Sequence, residues 1–474
     1  MTAYVPTADS IGPTVVFTSV AEGDSVTFLQ PYTFINTTDY AVDFGHANNT
    51  LLNMTTLMSG AFSGVVVDNV ADCEIINTAT GTIAALSGAS GYAAIYLSGD
   101  RNSLLNAGDV YSVNGNGVAL LGVGSVIDNS GRIQGRTIGV LAQGADYSIM
   151  NSGTIESGTG SVSVAVVLGG GGNGKSLVNT GVIQSLLAAG GVAVQVQSFD
   201  LTTIDNAGII RSVGGIAIHA VAASSSLHLT NSGTIISASA AAYSVAATAQ
   251  SDIIINTGGI SGSVDLEGGD DLFDGIGGNV GGTIYGGAGN DTFRVSDALV
   301  AITEYAAEGT ADLVESTVSF SLVPTGEVEN LTLLGTATDG TGNDLNNLLI
   351  GNNTDNRVWG AGGLDSIYGE GGDDSLFGGG AVMWPMALWA TTACAVVLPP
   401  TRCTAATATT PCAAMPGPTG CTATRAKTCC TAVRAVTRCM AARMATLSCS
   451  AICPTAAWAR PCATRSWGSR PGST

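Results

Sequence analysis

The chain is short of charged and aromatic residues. Charged residues make up 11% and aromatic residues 5% of the 474 positions. There are 13 prolines and 3 histidines but 65 glycines. So few charges require a large buried interior, and this glycine content suits turns and β-coils better than helices or disorder. The composition therefore favours an all-β protein.

Long apolar runs are also missing. No stretch approaches the roughly 18–20 apolar residues of a membrane span, so we expect no transmembrane segment. The opening residues, MTAYVPTADSIGPTVVF, lack the basic region that begins a signal peptide. The formal net charge is −20, which argues against nucleic acid as a partner.

Residues that could form a catalytic centre are sparse and scattered. The histidines, His46, His219 and His228, share no short metal-ligand spacing with another ligand. Asp200 and Asp205 could line a carbohydrate groove. No cluster of acid, base and cation accompanies them, because residues 1–262 contain only five basic residues: Arg101, Arg132, Arg136, Lys175 and Arg211. An enzyme is possible but is not indicated.

A long repeat fills residues 1–262. Its mark is Asn-x-Gly-x-Ile or a near variant at Asn129, Asn151, Asn179, Asn206, Asn231 and Asn256, with weaker copies at Asn77 and Asn106. The spacing averages about 25 residues, which fits one coil of a right-handed parallel β-helix with flanking aliphatic residues pointing inward. Stacked asparagines can hydrogen-bond from coil to coil. We expect eight to ten coils, with Asn36 and Asn53 beginning the stack irregularly after a capping coil in the first 30 residues.

One motif in this region resembles a phosphate-binding loop. Residues 169–176 read GGGGNGKS, and the apolar run VAVVL precedes them. A phosphate-binding loop needs a helix starting at the lysine. The following residues, LVNTGVIQS, form the next Asn-x-Gly copy instead. We therefore expect a glycine-rich loop at a coil corner.

A shorter repeat occupies residues 342–380. Glycine, an aliphatic residue and a carboxylate or amide each recur every nine residues. The aliphatic register is Leu349, Val358, Ile367 and Leu376, and the polar register is Asn347, Asn356, Asp365 and Asp374. Glycines allow consecutive carbonyls to turn toward one point, and calcium takes six to eight oxygen ligands. The unit therefore indicates a calcium site, weaker where asparagine replaces aspartate.

This unit resembles the G-G-x-G-x-D-x-U-x nonapeptide of the hemolysin-type, repeats-in-toxin family. The resemblance implies a parallel β-roll with Ca²⁺ between stacked turns, two units to a coil. It also implies secretion by a type I exporter that reads a C-terminal signal. The expected calcium ligands are Gly268, Asp270, Asp271, Gly286, Gly287, Gly289, Asn290, Asp291, Gly360, Gly362, Asp365, Gly369, Gly371, Asp373 and Asp374.

The calcium module is predicted to span residues 263–380. Twenty of the 36 acidic residues fall in this stretch. Residues 286–293, GGAGNDTF, form the fullest nonapeptide. Residues 295–341 are interpreted as a spacer between nonapeptide blocks, with alternation that suits strands at Val314 and Phe320.

Residues 381–474 differ sharply in composition. They contain 10 of the 11 cysteines and no aspartate, glutamate, asparagine or glutamine. Cys394, Cys403, Cys412, Cys421, Cys430 and Cys439 are nine residues apart and in phase with the aliphatic register. A Leu-Tyr codon pair read one base late yields cysteine, so we interpret the tail as a frameshifted continuation of the repeats. A disordered or non-native tail that lacks the native export signal is expected.

The favoured function is a secreted, calcium-binding structural or adhesive protein. Its expected partners are calcium ions and a cell-surface or matrix polysaccharide. The alternative is a polysaccharide-active β-helix enzyme, of the lyase or epimerase type, that carries a calcium-binding secretion module. Clustered Asp, Arg or Lys side chains on one face of the coils would favour the enzyme.

Overall fold

The computed structural model describes residues 3–6, 10–12, 17–18, 21–86, 92–160, 163–221, 225–239, 243–379 and five short strands between 384 and 423. Throughout these residues the secondary structure is β-strand, and every strand pairing is parallel. The predicted all-β parallel solenoid is confirmed. The described part of the chain has no helix long and apolar enough to cross a membrane.

Four parallel sheets run along the solenoid. The first sheet consists of Ala3–Tyr4, Ser25–Phe28, Thr50–Asn53, Glu74–Asn77, Ser103–Asn106, Val126–Asn129, Ser148–Asn151, Lys175–Asn179, Thr202–Asn206, Leu227–Asn231, Ile253–Asn256, Leu272–Asp274, Thr292–Val295, Leu313–Ser316, Asn330–Leu333, Leu348–Ile350, Ser366–Tyr368, Trp384–Ala387, Arg402–Ala405 and Gly420–Ala423. The second consists of Ser10–Gly12, Thr33–Asn36, Thr56–Ser59, Thr82–Ala85, Asp109–Ser112, Arg132–Gly135, Thr154–Ser157, Val182–Ser185, Ile209–Ser212, Thr234–Ser237, Gly259–Ile260 and Asn279–Val280.

The other two sheets succeed one another along the chain. The third consists of Phe17–Thr18, Val42–Phe44, Val65–Val67, Ala93–Leu97, Asn116–Leu120, Ile138–Ala142, Val164–Leu168, Val192–Val196, Ile218–Ala220, Val245–Ala246, Val264–Asp265, Thr283–Tyr285 and Ala301–Thr303. The fourth consists of Phe320–Ser321, Asp339–Thr341, Arg357–Trp359, Ser375–Phe377, Ala393–Val396 and Ala413–Ala414. Because the second sheet ends at Asn279–Val280, the coil changes from three strands to two after residue 285, and the fourth sheet replaces the third after residue 303.

Strand alternation builds the core. In a strand, alternate side chains point to opposite faces, and one coil places Ile127, Ile133 and Val140 inward from its three strands, all fully buried. Parallel pairing stacks such residues in columns, as in the register Ile127↔Ile149. Because each coil is covered above and below, the apolar interior is continuous from residue 26 to residue 376.

The predicted asparagine ladder is confirmed from Asn53 to Asn256. Nine buried asparagines end successive first-sheet strands, and each Nδ2 donates to Oδ1 of the next at 2.7–2.8 Å: Asn53, Asn77, Asn106, Asn129, Asn151, Asn179, Asn206, Asn231 and Asn256. The prediction that Asn36 begins the stack is wrong. Asn36 ends a second-sheet strand, and its Oδ1 accepts the amides of Thr38 and Asp39 in its own turn.

The glycine-rich loop at 169–176 is a coil corner, as predicted. Lys175 begins a first-sheet strand rather than a helix, is buried and donates from Nζ to the carbonyl of Gly172. Two loop amides already bind carboxylates of this chain: Gly172 N donates to Asp200 at 2.9 Å and Gly174 N to Asp146 at 2.8 Å. The amides that a phosphate would need are therefore occupied.

The two-strand coils have the expected nine-residue half-coil. Leu349 pairs with Ile367 and Val358 with Leu376, so two units make one coil. The first sheet runs without interruption through position 263, where the sequence suggested a boundary, and the proposed spacer at 295–341 contributes strands to it. The module therefore shares one sheet with the coils before it.

The tail predicted to be disordered or non-native, 381–474, falls mostly outside the described residues. Its five described strands continue the first and fourth sheets. Among them, Cys394 pairs in register with Leu376 and Cys421 with Cys403. The backbone register thus agrees with the nine-residue phase of the cysteines.

Candidate metal centre

A column of carboxylates lies at the corner that leads into the first sheet. Each aspartate of the column stands two residues before an inward apolar residue, as Asp291 stands before Phe293. One side-chain oxygen accepts the backbone amide of the acidic residue one coil earlier. Asp271 Oδ1 accepts from Asp252 N at 2.6 Å, Asp291 Oδ1 from Asp271 N at 2.9 Å, and Asp312 Oδ1 from Asp291 N at 2.8 Å. The column therefore places consecutive carboxylates above one another inside the corner.

The second oxygen of most of these carboxylates has no hydrogen-bond partner. Oδ2 is buried and unpaired in Asp271, Asp291, Asp312, Asp365 and Asp374. Both carboxylate oxygens of Glu304 are likewise buried and unpaired. Native proteins rarely leave buried polar atoms unsatisfied, since the desolvation of each costs about 1–3 kcal/mol. These oxygens are therefore candidates for metal coordination.

Three of the carboxylates converge. Asp291, Glu304 and Asp312 each have an oxygen within 4.8 Å of the others, and their exposed fractions are only 1%, 2% and 1%. Asp291 and Asp312 precede neighbouring first-sheet strands, whereas Glu304 follows the third-sheet strand Ala301–Thr303. The group therefore lies between two coils, at the corner between the third and first sheets, and could hold a metal ion.

Glycines leave space beside these oxygens. A Cβ on Gly286 would lie 1.7 Å from Glu304 Oε1 and 2.6 Å from Asp291 Oδ2. A Cβ on Gly309 would lie 2.2 Å from Asp312 Oδ2 and 2.4 Å from the carbonyl oxygen of Gly289. Any larger residue would fill that space, so glycine keeps it open next to four oxygen donors. Oxygen-only donor sets suit hard cations such as Ca²⁺, Mg²⁺ or Mn²⁺.

No basic side chain among the described residues neutralises the three acids. Arg294 is engaged elsewhere, with Glu315 at 2.6 Å and Asp274 at 3.4 Å. Arg357 lies over the ring of Trp359, 5.0 Å from its centroid. Within the described residues the charge of this buried acidic cluster is therefore uncompensated, so that a bound cation or bound protons would have to neutralise it.

Burial is the main cause of the raised pKa values of Glu304, Asp291 and Asp312. Desolvation, reinforced by the charges of Asp312 and Asp291, raises the pKa of Glu304 to about 9, and the Gly287 amide opposes this without reaching hydrogen-bond geometry. Desolvation also raises the pKa of Asp291 to about 7 and that of Asp312 to about 6, each partly offset by the backbone amide it accepts. Without a cation, the cluster therefore retains protons at neutral pH.

These shifts predict that the metal-free protein loses stability as the pH rises. The folded pKa of Glu304 lies near 9, above the ordinary value of 4.5. Its contribution is therefore complete below about pH 4.5 and disappears as the pH passes through about 9. Thermal melts in chelator should show a lower melting temperature at pH 9 than at pH 5. Excess calcium should reduce or reverse the slope, and a melting temperature that rises with pH in chelator would contradict the expectation.

A similar arrangement recurs in the two-strand coils. A Cβ on Gly360 would lie 2.1 Å from Asp365 Oδ2 and 2.8 Å from the carbonyl oxygen of Gly378. Gly378 is two nine-residue units after Gly360, the separation at which the sequence predicted sharing of ions. Gly369 faces Asp374 Oδ2 in the same way, at 2.3 Å. The later turns that would complete the Asp374 position fall in the tail, outside the described side chains.

Three of the other predicted polar ligands are exposed instead of buried in the corner. Asp270 and Asn290 are exposed and accept amides of the following coil, from Asn290 N at 2.8 Å and Thr310 N at 3.2 Å. Asp373 is exposed as well, and its amide donates to Asp355. Of the glycines expected to contribute carbonyls, Gly289 does place its carbonyl oxygen beside Asp312 Oδ2. Gly268 faces Ala288 of the following coil. The others lie against the preceding coil: Gly287, Gly362 and Gly371.

Glu304 and Asp312 were not among the predicted ligands. Both fall in the segment interpreted as a spacer. Asp312 carries a detectable signal, because it precedes Val314 by two residues just as Asp271 precedes Phe273 and Asp291 precedes Phe293. Glu304 belongs to no repeat register, and only the closure of the coil brings it to the site.

A polar strip crosses the outer face of the second sheet. Arg132 Nε donates to Glu156 Oε1 at 3.0 Å, and Gln184 Nε2 donates to Glu156 Oε2 at 2.8 Å. Arg211 then donates to Gln184 Oε1. Both oxygens of Glu156 are thus engaged and its side chain is buried. The strip therefore uses both carboxylate oxygens of Glu156 within the chain, whereas Arg211 Nε is buried without a hydrogen-bond partner.

The chain matches no protein-family model, no curated protein and no solved structure. The class of protein is therefore defined by the coil geometry and the carboxylate column. Together they define an all-β parallel solenoid with a buried acidic group that could bind a metal ion.

Proposed function

We propose that this chain is a secreted, calcium-binding structural or adhesive protein of the repeats-in-toxin type. The observation that carries the proposal is the group of buried, unpaired oxygens on Asp291, Glu304 and Asp312. The nonapeptide pattern at 342–380 and the Asp365 position support calcium as the ion at the other turns.

Calcium fits the donor set better than the alternatives. The group offers carboxylate oxygens, with a carbonyl beside Asp312, and no nitrogen or sulfur donor, which disfavours zinc and copper. Magnesium demands near-ideal octahedral geometry and keeps several waters, whereas calcium accepts six to eight oxygens in irregular arrangements. A corner built from two coils and a loop supplies such an irregular arrangement.

Secretion is proposed because calcium is abundant outside the cell and scarce in the cytosol. Extracellular calcium modules typically bind at about 10⁻⁴–10⁻³ M, so they fill outside the cell and remain empty in the cytosol. Burying three carboxylates without a cation is unfavourable, so folding of this part would await export. A long, narrow solenoid then presents repeated outer surfaces to a cell-surface or matrix polysaccharide. Both oxygens of Glu156 are engaged within the chain, which supports this structural role over the polysaccharide-active enzyme.

Calorimetric titration of the full chain with CaCl₂ tests the proposal. The wild-type protein should bind calcium, and Glu304→Gln should weaken at least one site by tenfold or more, because it removes a charge and a ligand oxygen. Asp297→Asn is the matched control, since Asp297 is exposed and accepts only the amide of Leu299, and it should bind like the wild type. Absence of calcium binding, or an unchanged Glu304→Gln titration, would refute the proposal.

A further inference from the structure

A groove on the outer face of the third sheet has an unusual lining. It measures about 300 Å³. Its walls combine three phenol rings with three carboxylates, from Tyr243, Tyr285, Tyr305, Asp265, Glu267 and Glu308. The register Ala246↔Asp265↔Tyr285↔Thr303 shows that four consecutive coils contribute to it. The parallel solenoid thus gathers residues that are distant in sequence.

The rings form a corner. Tyr243 and Tyr285 are nearly perpendicular, at 76°, with centroids 5.9 Å apart. Tyr285 and Tyr305 are nearly parallel, at 13°, with centroids 6.3 Å apart. Tyr305 is 57% exposed. Aromatic side chains on a sheet surface normally lie against a neighbouring residue, but here the outermost ring presents a large area to solvent.

The carboxylates are held in place by backbone amides. Glu308 Oε2 accepts the amide of Tyr305 at 2.9 Å, and Asp265 Oδ1 accepts the amide of Glu267 at 3.2 Å. Glu267 itself adopts a left-handed backbone, with φ of 69°. No lysine or arginine lines the groove. Three acids therefore surround the rings without a compensating positive charge from the groove itself.

This combination matches an organic cation. The face of an aromatic ring attracts a cation, and ring corners with nearby carboxylates are a known way to hold alkylated ammonium groups. A bare metal ion would use oxygens and gain little from three ring faces. A neutral sugar could stack on the rings, but it would leave the carboxylate charges uncompensated.

We propose that this groove binds the alkylated ammonium group of a choline-type headgroup. The groove borders the metal centre, because Gly287 lines it and the Gly287 amide faces Glu304. The ammonium ligand is separate from the metal, so the inference extends the proposed function and does not depend on which metal the centre holds.

The experiment measures binding of choline and of N-acetyl-lysine methylamide to the full chain in saturating calcium, by tyrosine fluorescence and by NMR. Both probes carry an ammonium group. Choline should bind more tightly, because its alkylated ammonium gains more from the ring faces, and tighter binding of the lysine probe would overturn the inference. Tyr285→Leu should weaken the better probe about tenfold, since a cation–π contact contributes this much in a partly desolvated site. Tyr285→Phe, which keeps the ring and loses the hydroxyl, should bind like the wild type.

Controls separate the groove from general effects. Tyr111→Leu changes a half-buried tyrosine on the second sheet and should leave binding unchanged. Tyr305→Ala alters the most exposed ring after its strand has ended, so it tests the groove even if Tyr285→Leu fails to fold. The inference would be overturned if neither probe bound, or if Tyr285→Leu and Tyr305→Ala both bound the probe as tightly as the wild type. Binding of a neutral trisaccharide in place of the ammonium probes would also overturn it. Calcium titration of the same samples reports separately on the proposed function.

Discussion

Removing calcium from the full chain should destabilise the coils between residues 263 and 379 while those between 103 and 256 keep their stability. In the first group, buried carboxylates face one another without a cation. In the second, the buried polar groups of the ladder satisfy one another. Each calcium site filled at tenfold its Kd stabilises the folded state by about 1.4 kcal/mol. Neighbouring sites along a solenoid add to one another.

Hydrogen exchange followed by mass spectrometry is the appropriate measurement, because it reports stability segment by segment. In chelator, peptides covering residues 286–316 should lose protection by at least tenfold, and peptides covering 126–157 should not change. Adding calcium should restore protection, while the same concentration of magnesium should restore much less, because its octahedral demand fits an irregular corner poorly. Uniform loss along the whole chain, or no loss at all, would show that the acidic corner is not where the ion acts.

Replacing Asn179 with alanine should destabilise the central coils by about 3–5 kcal/mol. Its Oδ1 accepts from Asn151 at 2.8 Å and its Nδ2 donates to Asn206 at 2.7 Å. The substitution leaves the buried Asn206 Oδ1 without its donor, which costs about 1–3 kcal/mol. Asn151 Nδ2 loses its shortest bond and keeps only the longer ones to the carbonyls of Gly153 and Val182. The lost side-chain contacts add to this cost.

Urea unfolding monitored by circular dichroism measures the change. Asn173→Ala provides the control, because Asn173 is exposed in the glycine-rich corner loop, and its stability should stay within about 0.5 kcal/mol of the wild type. A destabilisation of Asn179→Ala below 1 kcal/mol would mean that water or a backbone shift satisfies the two groups and that the ladder contributes little.

The solenoid was predictable because its determinants are local and periodic. The five residues of Asn-x-Gly-x-Ile indicate which side chain points inward, where the corner lies and where the next strand starts. The nine-residue glycine register does the same for the two-strand coils. Asn36 shows the limit, since an asparagine at a strand end looks the same in either sheet until the register of neighbouring strands is known.

The candidate site was only partly predictable, for a related reason. Asp271 and Asp291 stand in the repeat and were found. Their neighbours Asp270 and Asn290 also carry oxygen ligands, but these side chains are exposed whereas those of Asp271 and Asp291 are buried. The sequence alone does not distinguish the two orientations. Glu304 approaches across a corner from another sheet, so its role depends on how many residues the connecting loop contains. Loop length at a corner carries no periodic signal.

The asparagine ladder also gives the solenoid a dipole along its axis. Every Nδ2–H in it points toward the C-terminal end, from Asn53 through Asn231, and Asn256 continues the series by donating to the carbonyl of Asn279 at 3.2 Å. Amide dipoles aligned head to tail add together, and chains of hydrogen bonds polarise one another. The positive end of this array faces the coils in which the acidic residues are concentrated. The molecule is therefore polar along its axis, and its two ends should present different fields to any charged surface on which it assembles.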